Sequence, residues 1–116
     1  MRIDEMEAGR ELDALVAEQI LGWEREERRK SSYLPWPHWV APNGTAFIEL
    51  PRFSEDVGEA WEVVEKLKMR CGYSHGRGDP FAMLECEKSD TLVVYADTVP
   101  LAICRAALKA VGIEEV

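Results

Sequence analysis

A chain of 116 residues with 47% hydrophobic content can bury one core but not two, so it reads as a single domain over 1–116 and not as a disordered segment. Its 22 acidic against 14 basic residues leave a net charge of −8, which argues against a general binder of duplex nucleic acid, because phosphate neutralisation needs a surplus of Lys and Arg. The longest apolar run is too short to cross a bilayer and the start, MRIDEMEAGRE, is too charged for a signal sequence, so a cytoplasmic protein without membrane attachment is expected.

The first helix is expected from about Glu7 to Leu21. Leu12, Leu15, Val16, Gln19 and Trp23 recur at three- and four-residue steps, Ile20 widens the face, and Gly22 stands where a left-handed cap belongs. The mixed-charge run EREERRK (24–30) reads as solvated surface, either a helical extension or a loop. Three prolines make 31–44 a loop with extended pieces, ending in the turn signal Asn43-Gly44. TAFIEL, Thr45 to Leu50, reads as a short strand.

Ser54 is the expected N-cap of a second helix whose buried stripe would be Val57, Ala60, Trp61, Val64 and Leu67, with Gly72 as its stop. A glycine-containing loop, Tyr73 to Pro80, precedes two strand candidates, Phe81 to Glu87 and Thr91 to Asp97. Joined by the polar turn Lys88-Ser89-Asp90, they predict an antiparallel hairpin. The last helix starts at the N-cap Thr98, with Pro100 in its first turn. Leu101, Cys104, Leu108 and Val111 form its stripe, Ile103 and Ala107 widen it, and Gly112 stops it. The order α-β-α-β-β-α predicts an α+β fold, a compact layered sandwich of three amphipathic helices on a small, mostly antiparallel sheet.

Three blocks carry a resemblance. AGRELDALVAEQILGW (8–23), FSEDVGEAWEVVEKL (53–67) and PLAICRAALKAVG (100–112) resemble, in order and spacing, the phage ABA-sandwich domain family of small phage and prophage proteins. That resemblance implies a compact α/β sandwich at work in the cytoplasm of a bacterial host, and it brings no catalytic residues with it. The stretches from Arg25 to Phe47 and from Tyr73 to Lys88 lie outside the pattern, and loops are where function varies on a fixed scaffold.

No nucleophile-elbow, zincin or Walker sequence is present, so the chain is expected not to be an enzyme. Cys71, Cys86 and Cys104 are odd in number and widely spaced, which opposes a disulfide framework, and with no CxxC neither a structural zinc nor any other cofactor is expected. Cys104 reads as a small buried hydrophobe. Within SHGRGDP, His75 could serve a small enzyme, or His75, Arg77 and the glycine amides could cradle an anion, although a plain connecting turn explains the segment as well.

Trp23 and Trp61 fall on helical stripes and are expected in the core. Trp36 and Trp39 sit in the proline-bound loop with His38 between them and Tyr33 nearby, downstream of Arg25, Arg28, Arg29 and Lys30. Aromatic faces beside cations suit a small anionic, nucleotide-like ligand, whereas a loop folded back over the sheet would simply bury both rings. The candidate ligand-binding residues are therefore Tyr33, Trp36, His38, Trp39, His75 and Arg77. A host or phage protein is the alternative partner. A homo-oligomer is also expected, with TLVVYAD as the suspected open edge.

Overall fold

The computed structural model describes residues 2–26, 38–74, 76, 78–85 and 91–115, without the side chains of Glu26 and His38. Its helices are α1 (Arg10–Gln19), α2 (Val57–Leu67) and α3 (Val99–Ala110), preceded by a 3-10 turn at Ile3–Glu5. The strands are β1 (Glu24–Glu26), β2 (His38–Val40), β3 (Ala46–Phe47), β4 (Arg70–Tyr73), β5 (Pro80–Glu85) and β6 (Thr91–Tyr95). They pair antiparallel as two sheets, β1-β2-β3 and β4-β5-β6. The fold is α+β, as expected, with α3 at its centre.

Helix α3 is buried around most of its circumference, at Leu101, Ala102, Ile103, Cys104, Ala106, Ala107 and Leu108. It packs on all three strands of the β4-β5-β6 sheet and also against α1 and α2. A helix apolar on nearly every side needs cover on nearly every side, and this arrangement supplies it. Thr98 Oγ1 accepts from the Leu101 amide, so the expected N-cap forms. At the other end Gly112 takes φ +89° and the Ile113 amide donates to the Leu108 carbonyl, a glycine-capped C-terminus. Arg105 leaves the helix sideways and donates through Nε and Nη2 to the Met6 carbonyl, at 3.0 and 2.6 Å, tying down the segment before α1.

Helix α1 begins three residues later than expected, with Gly9 as N-cap. Gly22 closes its C-terminal side at φ +74° and Trp23 turns into the core. Gln19, assigned to the apolar stripe, is exposed.

Helix α2 departs more from expectation. Its N-cap is Asp56, whose Oδ1 accepts from the Gly58 and Glu59 amides, and not Ser54, which lies fully buried before the helix. The buried face is Ala60, Val63 and Val64, whereas Val57 and Trp61 are about half exposed, at 49% and 48%. Small Ala60 lets α2 approach the alanine-rich α3, and an indole in that contact would hold the helices apart. Val111, expected in the stripe of the last helix, is instead the C-cap of α3 and is exposed.

Helix α2 ends at Leu67, five residues before the expected stop at Gly72. Lys68 adopts the left-handed conformation, φ 54° and ψ 48°, and the Met69 amide donates back to the Val64 carbonyl. Ending there frees Arg70–Tyr73 to form β4, a strand the sequence does not announce, because Gly72 interrupts any alternation. Strands β5 and β6 pair antiparallel as expected, with Phe81 opposite Tyr95 and Glu85 opposite Thr91, while the expected turn Lys88-Ser89-Asp90 lies outside the described residues.

Two further segments change class. Residues 24–26 of the mixed-charge run form β1 instead of a helical extension or loop. The expected strand over 45–50 shrinks to Ala46–Phe47, following a tight turn in which Asn43 Oδ1 accepts from the Thr45 amide and Gly44 takes φ +88°. No helix among the described residues is long and apolar enough to cross a membrane.

Candidate functional site

Strand alternation decides which side chains of the small sheet meet. Trp39 stands opposite Arg25 on β1 and Phe47 on β3, so the three share one face. The Arg25 guanidinium lies 5.9 Å from the centre of the Trp39 ring, within cation–π reach. Trp23, two residues before Arg25, stacks at an angle on Phe47 with ring centres 5.2 Å apart. Phe47 thus touches the buried Trp23, and Trp39, half-buried, packs partly against the core.

On that face opens a cleft of about 680 Å³ between α1, the small sheet and the segment leading to α2. Trp39, Ile48 and Leu50 supply its apolar wall. Its polar lining alternates in sign, with guanidinium groups from Arg10, Arg25 and Arg52 and carboxylates from Glu11, Asp13, Glu49 and Glu55. Most of these charges are solvent-exposed, but Asp13 is 95% buried, at 5% exposure.

Asp13 is held by a specific network. Its Oδ1 accepts from the Ser54 amide at 2.8 Å and from Ser54 Oγ at 2.7 Å, while Ser54 Oγ accepts from the Gly9 amide at 2.9 Å. Burial pushes the Asp13 carboxyl above the ordinary aspartate range, and the two hydrogen bonds from Ser54 oppose that rise. Beyond them, Glu55 adds to the rise and Arg52 opposes it. A serine beside a carboxylate invites a nucleophile reading, yet Ser54 is wholly inaccessible and its hydroxyl is committed on both sides. The pair is a structural staple between the start of α1 and the approach to α2.

The six candidate residues therefore separate. Trp39 lines the cleft and meets Arg25. His38 is placed in β2 opposite Glu26, its side chain outside the description. Tyr33, Trp36, His75 and Arg77 lie outside the described residues. Around the last two, the Ser74 amide donates to the Asp79 carbonyl and the Asp79 amide to Ser74 Oγ, closing a hairpin connection between β4 and β5. No described residue of that connection lines the cleft.

Arg10, Asp13, Glu49, Arg52 and Glu55 were not singled out from the sequence. They are dispersed over 46 positions and converge only through the fold. Among the described residues no group of three His, Cys, Asp or Glu side chains is arranged to hold a metal ion. Cys104 is fully buried and its thiol is pushed far up by burial, so it behaves as a small core side chain.

The model of the phage ABA sandwich domain matches residues 14–108. The chain belongs to that family. The match runs from within the first helical block to within the third and takes in the small sheet, the segment leading to α2 and the β4-β5-β6 sheet. The fold is similar to that of a phage protein from Bacillus cereus ATCC 14579, a 2.0 Å crystal structure, with a TM-score of 0.69 and 25% identity over 92% of this chain and 90% of that one. No curated protein matches the chain.

Proposed function

We propose that this ABA-sandwich protein is a non-catalytic binding protein whose Trp39 cleft takes up a small anionic, nucleotide-like ligand. The observation that carries this reading is the Trp39 ring at the cleft wall with the Arg25 guanidinium over it and Arg10 and Arg52 in the same lining. A planar base stacks on an indole, and a phosphate meets guanidinium forks in a way that ammonium groups cannot match. The four carboxylates narrow the class: a bare polyanion would be repelled, whereas a nucleotide brings N–H donors to the acidic positions together with its phosphate. A volume of about 680 Å³ is ample for a mononucleotide.

In a phage-derived protein acting in a bacterial cytoplasm, the use of such a site is sequestration of a host signal nucleotide, which counters defence without chemistry. Mass spectrometry of the supernatant from denatured, freshly purified protein tests this reading. A stoichiometric phosphate-bearing heterocycle supports it, and a stoichiometric ligand with neither ring nor anionic group contradicts it.

A second reading, docking of a host or phage protein, has its own observation. Val57 and Trp61, one helical turn apart on α2, are about half exposed, and interface hot spots are enriched in tryptophan. A stoichiometric complex with a host protein that dissolves on Trp61→Ala but survives Trp39→Ala favours it.

A further inference from the structure

We propose that the free edge of β6 is a homodimer interface, in which two copies pair their Thr91–Tyr95 strands antiparallel about a twofold axis at Val93. The sheet order β4-β5-β6 leaves β6 with a partner on one side only among the described residues. The hydrogen-bond parity of that edge is fixed by one bond. The Ala96 amide donates to the Pro80 carbonyl at 3.2 Å, so in the alternating antiparallel ladder Val94 and Leu92 bond to β5. The backbone groups of Thr91, Val93 and Tyr95 then point off the open edge.

A twofold axis at Val93 sets Val93 against its own copy and Thr91 against Tyr95 of the partner subunit. All three outward-pointing residues meet outward-pointing residues, which closes an unbroken ladder. The same operation sets Leu92 against the partner's Val94, so inward side chains stay inward and no register slip is needed. Thr91, Val93 and Tyr95 stay on the outer face, where Val93 is 42% and Tyr95 58% exposed beside Phe81 and Met83. Pairing makes this apolar strip continuous across both subunits.

The occupant is a second copy because the edge is complementary to itself and, over the described residues Thr91–Tyr95, carries no guard against self-pairing. Open edges are ordinarily guarded by charge, proline or a bulge. Strand β4, the opposite edge, carries Arg70 and Gly72, whereas Thr91-Leu92-Val93-Val94-Tyr95 has neither charge nor proline. Like charges are therefore not brought face to face within the joined strands.

Sedimentation velocity on the full chain over a range of concentrations tests this, together with Val93→Lys and Val93→Glu. Their exposed position lets each variant keep the wild-type circular dichroism. The wild type is expected to dimerise, each variant alone to raise the dimer dissociation constant by at least about tenfold, and an equimolar mixture of the two to recover the dimer, since residue 93 faces itself. Amide exchange at Thr91, Val93 and Tyr95 should slow as concentration rises. A wild type monomeric into the millimolar range, a dimer indifferent to Val93→Lys, or a mixture that stays monomeric overturns the proposal. Binding of an unrelated extended peptide at β6 by a chain that never self-associates overturns it equally.

Discussion

Ser54 Oγ lies 2.7 Å from Asp13 Oδ1, across 41 residues of sequence, and both side chains are buried. This bond assigns Ser54 a task different from helix capping. It satisfies the one buried carboxylate in the cleft wall while fixing the start of α1 to the segment that leads into α2.

Removing Ser54 should therefore cost more than removing the true cap. Ser54→Ala strands a buried carboxylate, and a loss of about 2–4 kcal/mol in unfolding free energy is expected. Asp56→Ala removes only the exposed N-cap and should cost about 1 kcal/mol. Urea denaturation of both variants checks the order, and equal losses would contradict the structural account of Ser54.

The same carboxylate gives a pH signature. A folded-state pKa raised above the ordinary aspartate value of 3.8 means that the folded chain holds its proton longer than the unfolded chain. The stabilising contribution is complete below that value and is lost as pH rises through the folded-state pKa. Asp13→Asn retains an acceptor for Ser54 without the buried charge. Its stability relative to wild type should therefore be better at pH 7 than at pH 3.5, as read from parallel urea melts. A flat difference contradicts the raised pKa of Asp13, and a difference of opposite sign shows that folding lowers it instead.

Lys68 is the only described non-glycine residue at positive φ, and it occupies the position that glycine favours in this helix-ending motif. Lys68→Gly should stabilise the protein by about 0.5–1 kcal/mol, seen as a rise of a few degrees in Tm. A fall in Tm would mean that the lysine side chain itself contributes to the fold.

The packing of α3 invites an opposite test. Ala106 and Ala107 are fully buried, and a close-packed core resists a larger side chain at such positions. Ala106→Leu should lose about 1–3 kcal/mol through overpacking, whereas Trp61→Ala, at an exposed position, should change stability by less than about 1 kcal/mol. Differential scanning calorimetry separates the two, and a Trp61→Ala loss as large as that of Ala106→Leu would place Trp61 in the core after all.

These cases show what was legible in the sequence and what was not. Thr98, Gly22 and Gly112 act as read because caps are local and depend on a few neighbouring backbone groups. The choice of buried face on α2 is not local. Val57 and Trp61 fit an apolar stripe as well as Val63 does, and only the close approach to α3 selects Ala60 and Val63. Strand β4 was hidden by its glycine, and β1 by charges that mask the alternation of Trp23 and Arg25. At the site, the proximity of Trp39 and Arg25 could be anticipated from aromatic and basic residues in neighbouring segments. Arg10, Asp13 and Arg52 could not, since nothing in their spacing signals convergence.

The most direct test of the cleft assignment is isothermal titration of the wild type and of Trp39→Ala with a panel of linear and cyclic nucleotides. Saturable binding of at least one nucleotide is expected, weakened about tenfold or more by Trp39→Ala and similarly by Arg52→Ala, because stacking and phosphate contacts each contribute about 1–3 kcal/mol. Absence of heat with every member of the panel, or an affinity unchanged by Trp39→Ala, would contradict the account.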